Sequence, residues 1–160
     1  MLGVRGRRSD DFNMPNLVYR NLTSDKKYNS KFFEIILVGA IKELKLADKK
    51  VGLSVNLVGE GKIRELNKKY RNKNKISDVL SFPMASKLEI PKSNTEVLDL
   101  GDIFICLSFA KNEAKSENIS IERKLAQLVV HGFLHLLGYD HEKSEKDAKK
   151  MFGLENKILN

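Results

Sequence analysis

Cysteine is almost absent from this sequence, since Cys106 is the single one among 160 residues. One thiol excludes an intramolecular disulfide, so the fold must be held by a hydrophobic core, which a chain of this length can bury. The lack of a disulfide framework favours a reducing, cytoplasmic location.

Long apolar segments are also missing. The longest, FFEIILVGAI at 32–41, contains a glutamate and is too short to span a bilayer. The arginines near the amino terminus are not followed by an apolar run, so no secretory signal is predicted. We expect residues 1–13 to be a disordered extension or a cloning remnant, with Met14 as the natural start. Residues 14–160 are expected to form one domain without a membrane anchor.

Histidine is the third scarce residue, and all three histidines fall within HGFLHLLGYDH at 131–141. His131 and His135 are four residues apart, so a helix places them on one face. Gly138 readily adopts the left-handed conformation that ends a helix, and a turn after it can return His141 to the same place. The spacing predicts a metal site with three imidazole ligands. The alternative is a set of histidines that only pack in the core.

The ligand set favours a catalytic metal over a structural one. Catalytic zinc commonly has three protein ligands and one open position, whereas structural zinc is usually closed by four ligands, often thiolates. Three imidazoles suit zinc, nickel, copper or iron, so the residues alone leave the metal open. We expect one divalent ion per chain, with zinc as the first candidate.

The spacing H-x3-H-x2-G-x2-H is also found in the metzincin peptidases, with one difference. Their motif has glutamate directly after the first histidine, where it acts as the general base. This chain has Gly132 at that position, and glycine cannot accept a proton. The sequence therefore predicts a metzincin-like metal cradle without the peptidase base.

The net charge of +8 is concentrated in one segment. Residues 61–75, GKIRELNKKYRNKNK, contain seven basic residues and one acidic residue. Such a cluster attracts polyanions, above all the phosphates of nucleic acids. A solvated lysine-rich helix face is an equally good reading of the charge run by itself.

Apolar periodicity predicts strands that alternate with helices. Pro83 cannot donate to a ladder, which predicts an edge strand there. Ser120 is expected to cap a long helix whose core face carries Leu125, Leu128, Val129, Phe133 and Leu136. The predicted strands cover 17–22, 51–59, 79–84 and 102–109. The predicted helices cover 30–44, 60–70, 110–117, the segment after Ser120 and 142–159. A loop is predicted over 87–101.

The motif HGFLHLLGYDH resembles the signature of the YbeY family, the bacterial rRNA maturation endoribonucleases. LNKKYRNKNKISDVLSFP at 66–83 and LGDIFIC at 100–106 resemble two further blocks of that family, and the likeness covers nearly all of residues 15–160. The resemblance implies an α+β fold, a single compact domain with a small mixed sheet flanked by helices and a metal site at the end of a long helix. It also implies a cytoplasmic, metal-dependent endoribonuclease that is specific for single strands. Such an enzyme acts in 3′-end maturation of the small-subunit (16S) rRNA and in ribosome quality control.

Carried over by position, the resemblance assigns His131, His135 and His141 as metal ligands and Arg71 as the functional arginine. An arginine suits this role, because its guanidinium stays charged and grips a phosphate with two donors. The neighbouring lysines are expected to bind RNA, and Asp140 either holds a ligand imidazole in its tautomer or only shapes the turn. The lysines in question are Lys68, Lys69 and Lys73.

The segment around position 74 departs from the family pattern, which often has an acid and a Pro-Thr pair before the aspartate. Asn74 is a neutral replacement, and Ser77 can stand in for threonine as a turn residue. Asp78 is expected to organise this loop, and Asp102 to cap or orient a neighbouring element. The differences affect the details of the substrate loop and leave the expected reaction unchanged.

Two other functions remain open from the residues. The first is a non-catalytic RNA-binding ribosome assembly factor whose metal stabilises the fold, and the second is a metallopeptidase, which Gly132 disfavours. The expected partners are single-stranded RNA, in particular rRNA, the small ribosomal subunit and assembly factors, with no DNA and no membrane.

Overall fold

The computed structural model describes residues 14–85 and 97–160. Four strands and five helices lie along these residues, in the order β1-α1-β2-α2-β3-β4-α3-α4-α5. The strands are β1 (Asn16–Asn21), β2 (Lys50–Val58), β3 (Val79–Pro83) and β4 (Val97–Cys106), and the helices are α1 (Ser30–Glu43), α2 (Glu60–Arg71), α3 (Leu107–Glu117), α4 (Ile121–Leu136) and α5 (Glu145–Leu159).

The four strands form one mixed sheet in the order β1-β2-β4-β3. β1 and β4 pair with β2 in parallel, and β3 pairs with β4 in the antiparallel direction. Every residue of β2 after its first is buried, as expected for a central strand covered on both faces. β3 is an edge strand, which confirms the prediction from Pro83. The mixed sheet and its helices confirm the α+β fold class, and the described residues form a single compact domain.

Two apolar cores lie on opposite faces of the sheet. The larger core contains residues of α1, α3, α4 and α5 and side chains such as Ile103 and Ile105 of β4. The smaller core joins Ile63 and Leu66 of α2 to Leu80 of β3. The whole predicted apolar face of α4 is buried, and Ser120 Oγ accepts a hydrogen bond from the backbone N–H of Arg123 at 3.0 Å. The long capped helix is therefore confirmed.

Three predicted boundaries were wrong. The strand expected to reach position 109 ends at Cys106, because Leu107 begins α3 while staying buried, and a continuous apolar run does not separate these two states. The loop expected over 87–101 is strand from Val97 onward, whereas 87–96 lie outside the described residues. α5 begins at Glu145 and not at position 142, because Ser144 Oγ accepts the N–H of Asp147 and fixes the first turn.

α4 approaches the sheet closely at Gly132. A Cβ placed there would lie 3.0 Å from Cγ2 of Ile103 and 3.0 Å from Oγ of Ser81. The carbonyl oxygen of Gly132 accepts a hydrogen bond from that Ser81 hydroxyl at 3.3 Å. The absence of a side chain at Gly132 therefore lets the helix that carries His131 and His135 lie this close to β3.

Among the helices of residues 14–85 and 97–160, no segment has both the length and the hydrophobicity that a membrane span requires.

Candidate metal centre

The three histidines of the motif converge at the carboxyl end of α4. His131 and His135 lie one turn apart on the helix, and the turn after Gly138, which has a φ of +95°, returns His141 to them. One ring nitrogen from each imidazole lies within 4.8 Å of the other two. All three side chains are partly buried, so the cluster is reachable from solvent.

The nitrogens of this cluster fit a shared metal ion. His131 Nε2 and His135 Nε2 are 3.1 Å apart, and two ligand nitrogens on a tetrahedral zinc ion would be about 3.3 Å apart at ordinary bond lengths. Burial lowers the pKa of His135, and the neighbouring charges of His131 and His141 lower it further. A lowered pKa favours the neutral imidazole, which is the form that binds metals. The three imidazoles therefore form a cluster that could hold one divalent ion.

Glu155 of α5 completes the surroundings of His131. Its Oε1 lies 2.5 Å from His131 Nδ1, and the side chain of Glu155 is only 17% exposed. With Nδ1 donating to this carboxylate, a neutral His131 keeps its lone pair on Nε2, which faces His135. No local pattern points to this residue, because it lies 24 positions after His131 on another helix.

Asp140 shapes the turn between α4 and His141. Its Oδ1 accepts a hydrogen bond from the backbone N–H of Glu142 at 2.9 Å, as an aspartate in a turn commonly does. The negative charge of Asp140 also acts on His135, since it raises the pKa of that imidazole against the stronger effect of burial. The carboxylate of Glu155 is thus hydrogen-bonded to a histidine ring, whereas Asp140 acts on His135 through its charge.

A cleft of about 530 Å³ joins the histidines to part of the basic segment. Arg71, Lys73 and Lys75 line the cleft together with all three histidines. Lys68 and Lys69 are exposed on α2 and are not among the described residues that line it. Three of the seven basic residues of 61–75 therefore face the same space as the candidate metal ligands.

Asn67 holds the loop that presents these basic residues. It is completely buried, and its Nδ2 donates hydrogen bonds to the carbonyl of Lys75 and to Oγ of Ser77, both at 2.9 Å. Its own carbonyl accepts the backbone N–H of Lys73 at 3.1 Å. Sequence reasoning missed Asn67, because an asparagine within a lysine-rich helix looks like a solvent-facing residue.

Asp78 links this loop to a buried charge cluster. Its carboxylate accepts the N–H of Val79 at 2.7 Å, and its side chain lines the cleft. Burial raises the pKa of Glu113 in α3 to about 7, and hydrogen bonding and repulsion from Asp78 raise it as well. Lys124, which is 6% exposed, lies 3.5 Å from Glu113 and 2.9 Å from Glu117. The start of β3 is therefore held against α3 and α4 by ionisable groups.

Asp102 orients neighbouring strands of the sheet. Its carboxylate on β4 accepts a short hydrogen bond from the hydroxyl of Ser54 on β2. The side-chain amide of Asn56 donates to the same hydroxyl at 2.9 Å and to the carbonyl of Ile103 at 3.1 Å. This network fixes β2 against β4.

The chain matches a known protein family over most of its length. A family model described as endoribonuclease YbeY matches residues 18–160. The chain belongs to the YbeY family. This finding confirms the resemblance seen in HGFLHLLGYDH.

Relatives within the YbeY family match over most of their length. A protein from Staphylococcus carnosus (strain TM300), named endoribonuclease YbeY, is 46% identical over 138 residues, which cover 82% of this chain and 86% of the relative. Another of the same name, from Sulfurihydrogenibium sp. (strain YO3AOP1), is 40% identical over 134 residues, covering 84% of each chain. The solution structure of TM1509 from Thermotoga maritima superposes with a TM-score of 0.59 at 31% identity, covering 89% of this chain and 87% of that one.

Proposed function

We propose that this YbeY family member is a metal-dependent endoribonuclease that cleaves single-stranded RNA. Its expected role is maturation of the 3′ end of the small-subunit (16S) rRNA and ribosome quality control, in the cytoplasm and together with the small subunit and assembly factors. The observation that carries the proposal is that the three converging histidines line the same cleft as Arg71, Lys73 and Lys75.

His131, His135 and His141 are the proposed ligands of one zinc ion. An ion bound there would supply Lewis-acid chemistry for polarising a phosphoryl oxygen and for activating the attacking oxygen. Glu155 keeps the His131 imidazole in the ligating tautomer by accepting a hydrogen bond from its Nδ1–H.

Arg71 is the proposed catalytic residue that grips the scissile phosphate. Its guanidinium offers two parallel donors to phosphate oxygens, on which negative charge grows as the reaction proceeds. Lys73, which lines the cleft, is the proposed ligand of an adjoining phosphate, and Lys68 and Lys69, which lie outside that lining, are proposed to contact RNA that extends beyond the cleft. Shape and single-strandedness select the substrate in this scheme.

The family relationship favours the enzyme over a non-catalytic assembly factor. A peptidase mechanism has no support, because Gly132 lies against Ile103 and Ser81 and leaves no room for the glutamate base of the metzincins. No DNA substrate is proposed.

Cleavage of a single-stranded RNA that ends in the small-subunit rRNA 3′ region tests the proposal. Arg71→Ala and His135→Ala proteins are purified and assayed in parallel with the unmodified chain, and bound zinc is measured in each preparation. We expect cleavage by the unmodified protein only, loss of zinc from His135→Ala and retention of zinc in Arg71→Ala. Equal cleavage by all three would indicate a contaminating nuclease, and no cleavage with intact RNA binding would support the assembly factor.

A further inference from the structure

Tyr70 is an aromatic residue left open to solvent at the end of α2. Its relative exposure is 58%, among the highest of the large hydrophobic residues that the structure describes. The other apolar residues of α2, Ile63 and Leu66, point into the smaller core. Core packing therefore does not account for an aromatic side chain at position 70.

The Tyr70 ring packs against one other ring, which in turn packs against a third. Its centre lies 5.2 Å from that of Phe82 on β3, and the Phe82 ring lies 5.7 Å from Phe104 on β4. Both contacts are edge-to-face arrangements, which are favourable for aromatic pairs. Tyr70 thus forms the exposed end of an aromatic row, with Phe82 and Phe104 partly buried behind it.

Tyr70 and Phe82 are not among the described residues that line the cleft, but each is followed in sequence by a residue that does. The residue after Tyr70 is Arg71 and the residue after Phe82 is Pro83, and both of these line the cleft. Lys69 Nζ lies 5.3 Å from the centre of the Tyr70 ring. An exposed ring is therefore bracketed in sequence by two cations, at the rim of a space that also contains Lys73.

We propose that Tyr70, supported by Phe82, stacks on an unpaired base of the RNA strand that enters the cleft, while Lys69 and Arg71 hold the adjoining phosphates. This inference rests on the proposed function, since it concerns the same substrate. Alternating aromatic rings and cations are the usual platform for single-stranded nucleic acids, because every base has a face that stacks and every nucleotide has a charge. The concentration of basic residues in 61–75 favours a polyanion over an apolar protein partner at this surface.

Two oligonucleotides of equal length and charge separate stacking from electrostatic binding. One is a single-stranded RNA of twelve nucleotides, and the other carries abasic sugars at all internal positions. Affinities are measured under chelating conditions, which suppress cleavage, for the unmodified protein, Tyr70→Ala, Tyr70→Phe and Ile35→Ala. Ile35 is a suitable control because it is 66% exposed on α1 and outside the residues that line the cleft.

We expect Tyr70→Ala to weaken binding of the normal RNA about 5- to 100-fold and to leave abasic binding unchanged, the range found when a stacking aromatic is removed. Tyr70→Phe and Ile35→Ala should bind both ligands like the unmodified chain. Because the chain has no tryptophan, Tyr70→Trp adds a unique fluorophore, and normal RNA should quench it more strongly than abasic RNA.

Equal loss of affinity for both oligonucleotides, or no loss for either, would overturn the stacking role. In the second case a protein partner becomes the better occupant of this surface, provided that the unmodified chain still cleaves RNA with its metal restored. If the unmodified chain neither binds nor cleaves RNA, the proposed function itself fails.

Discussion

The candidate metal centre includes a contact from one residue that is distant in sequence from the three histidines. Glu155 lies on α5, and its hydrogen bond to His131 joins this helix to the carboxyl end of α4. A carboxylate in this position fixes the ring orientation and makes the imidazole a stronger ligand.

Replacing Glu155 with glutamine should weaken zinc binding about 10- to 100-fold, because the amide accepts a hydrogen bond without the negative charge. Competition with a chromophoric chelator measures this affinity. Glu145→Gln, at the exposed start of the same helix, is the matched control and should retain normal affinity. Equal affinities of the two variants would show that Glu155 does not support the metal.

The contribution of Glu113 to stability depends on pH, and its raised pKa sets the direction of that dependence. Its pKa is raised from 4.5 to about 7, so the folded state holds this proton more tightly than the unfolded state. The associated stability is fully present below pH 4.5 and is lost as the pH rises through about 7. Asp78 opposes ionisation of Glu113, while Lys124 favours it.

Glu113→Gln should therefore match the unmodified chain near pH 5 and exceed its free energy of unfolding by about 1–2 kcal/mol at pH 8. This range is reduced from the full shift because the carboxylate is partly exposed. Urea denaturation of metal-free protein at the two pH values provides the measurement, with Glu145→Gln as the reference. A difference that is constant across this pH range would exclude a raised pKa at Glu113.

At the scale of the elements, the packing of α4 on the sheet sets the position of two of the three ligands. Gly132→Ala should lower the free energy of unfolding by about 1–3 kcal/mol, because the added Cβ meets Ile103 and Ser81 at 3.0 Å. Zinc affinity should fall as well, since α4 must move away from β3. Gly153→Ala is the control within a helix, because nothing lies within 4 Å of its added Cβ and alanine is the better helix former. If the two variants had equal stability, α4 would not be closely packed at Gly132.

Local chemistry explains which elements could be predicted from the sequence. Ser120 caps α4 and the spacing of its apolar residues marks its buried face, so the helix and its two histidines followed from neighbouring residues alone. The start of β4 was missed because the buried Leu98 and Leu100 are followed by Asp99 and Gly101, respectively, which gives a strand the appearance of a turn. Glu155 and Asn67 acquire their roles only through tertiary contacts, which no local pattern encodes.

The net positive charge of the protein predicts that its binding of RNA depends strongly on salt concentration. Lys73→Ala with Lys75→Ala should reduce the slope of log affinity against log salt by about 1.4 for single-stranded RNA, as each lost phosphate contact contributes about 0.7. Titrations at several salt concentrations measure the slope. Lys31→Ala with Lys42→Ala removes the same charge from α1, away from the cleft, and should leave the slope nearly unchanged. Equal slopes for both double variants would mean that net charge alone, and not the cleft, attracts the RNA.

The parallel pairing of β2 with both β1 and β4 has a consequence for the rate at which the chain reaches this structure. A parallel pair needs a crossover connection, and here a helix separates β2 from each of its partners in sequence. The central strand therefore has no tight hairpin through which pairing could begin, and distant segments must meet before any of its hydrogen bonds form. Chains dominated by such distant contacts refold in milliseconds to seconds, whereas small helical bundles take microseconds to milliseconds.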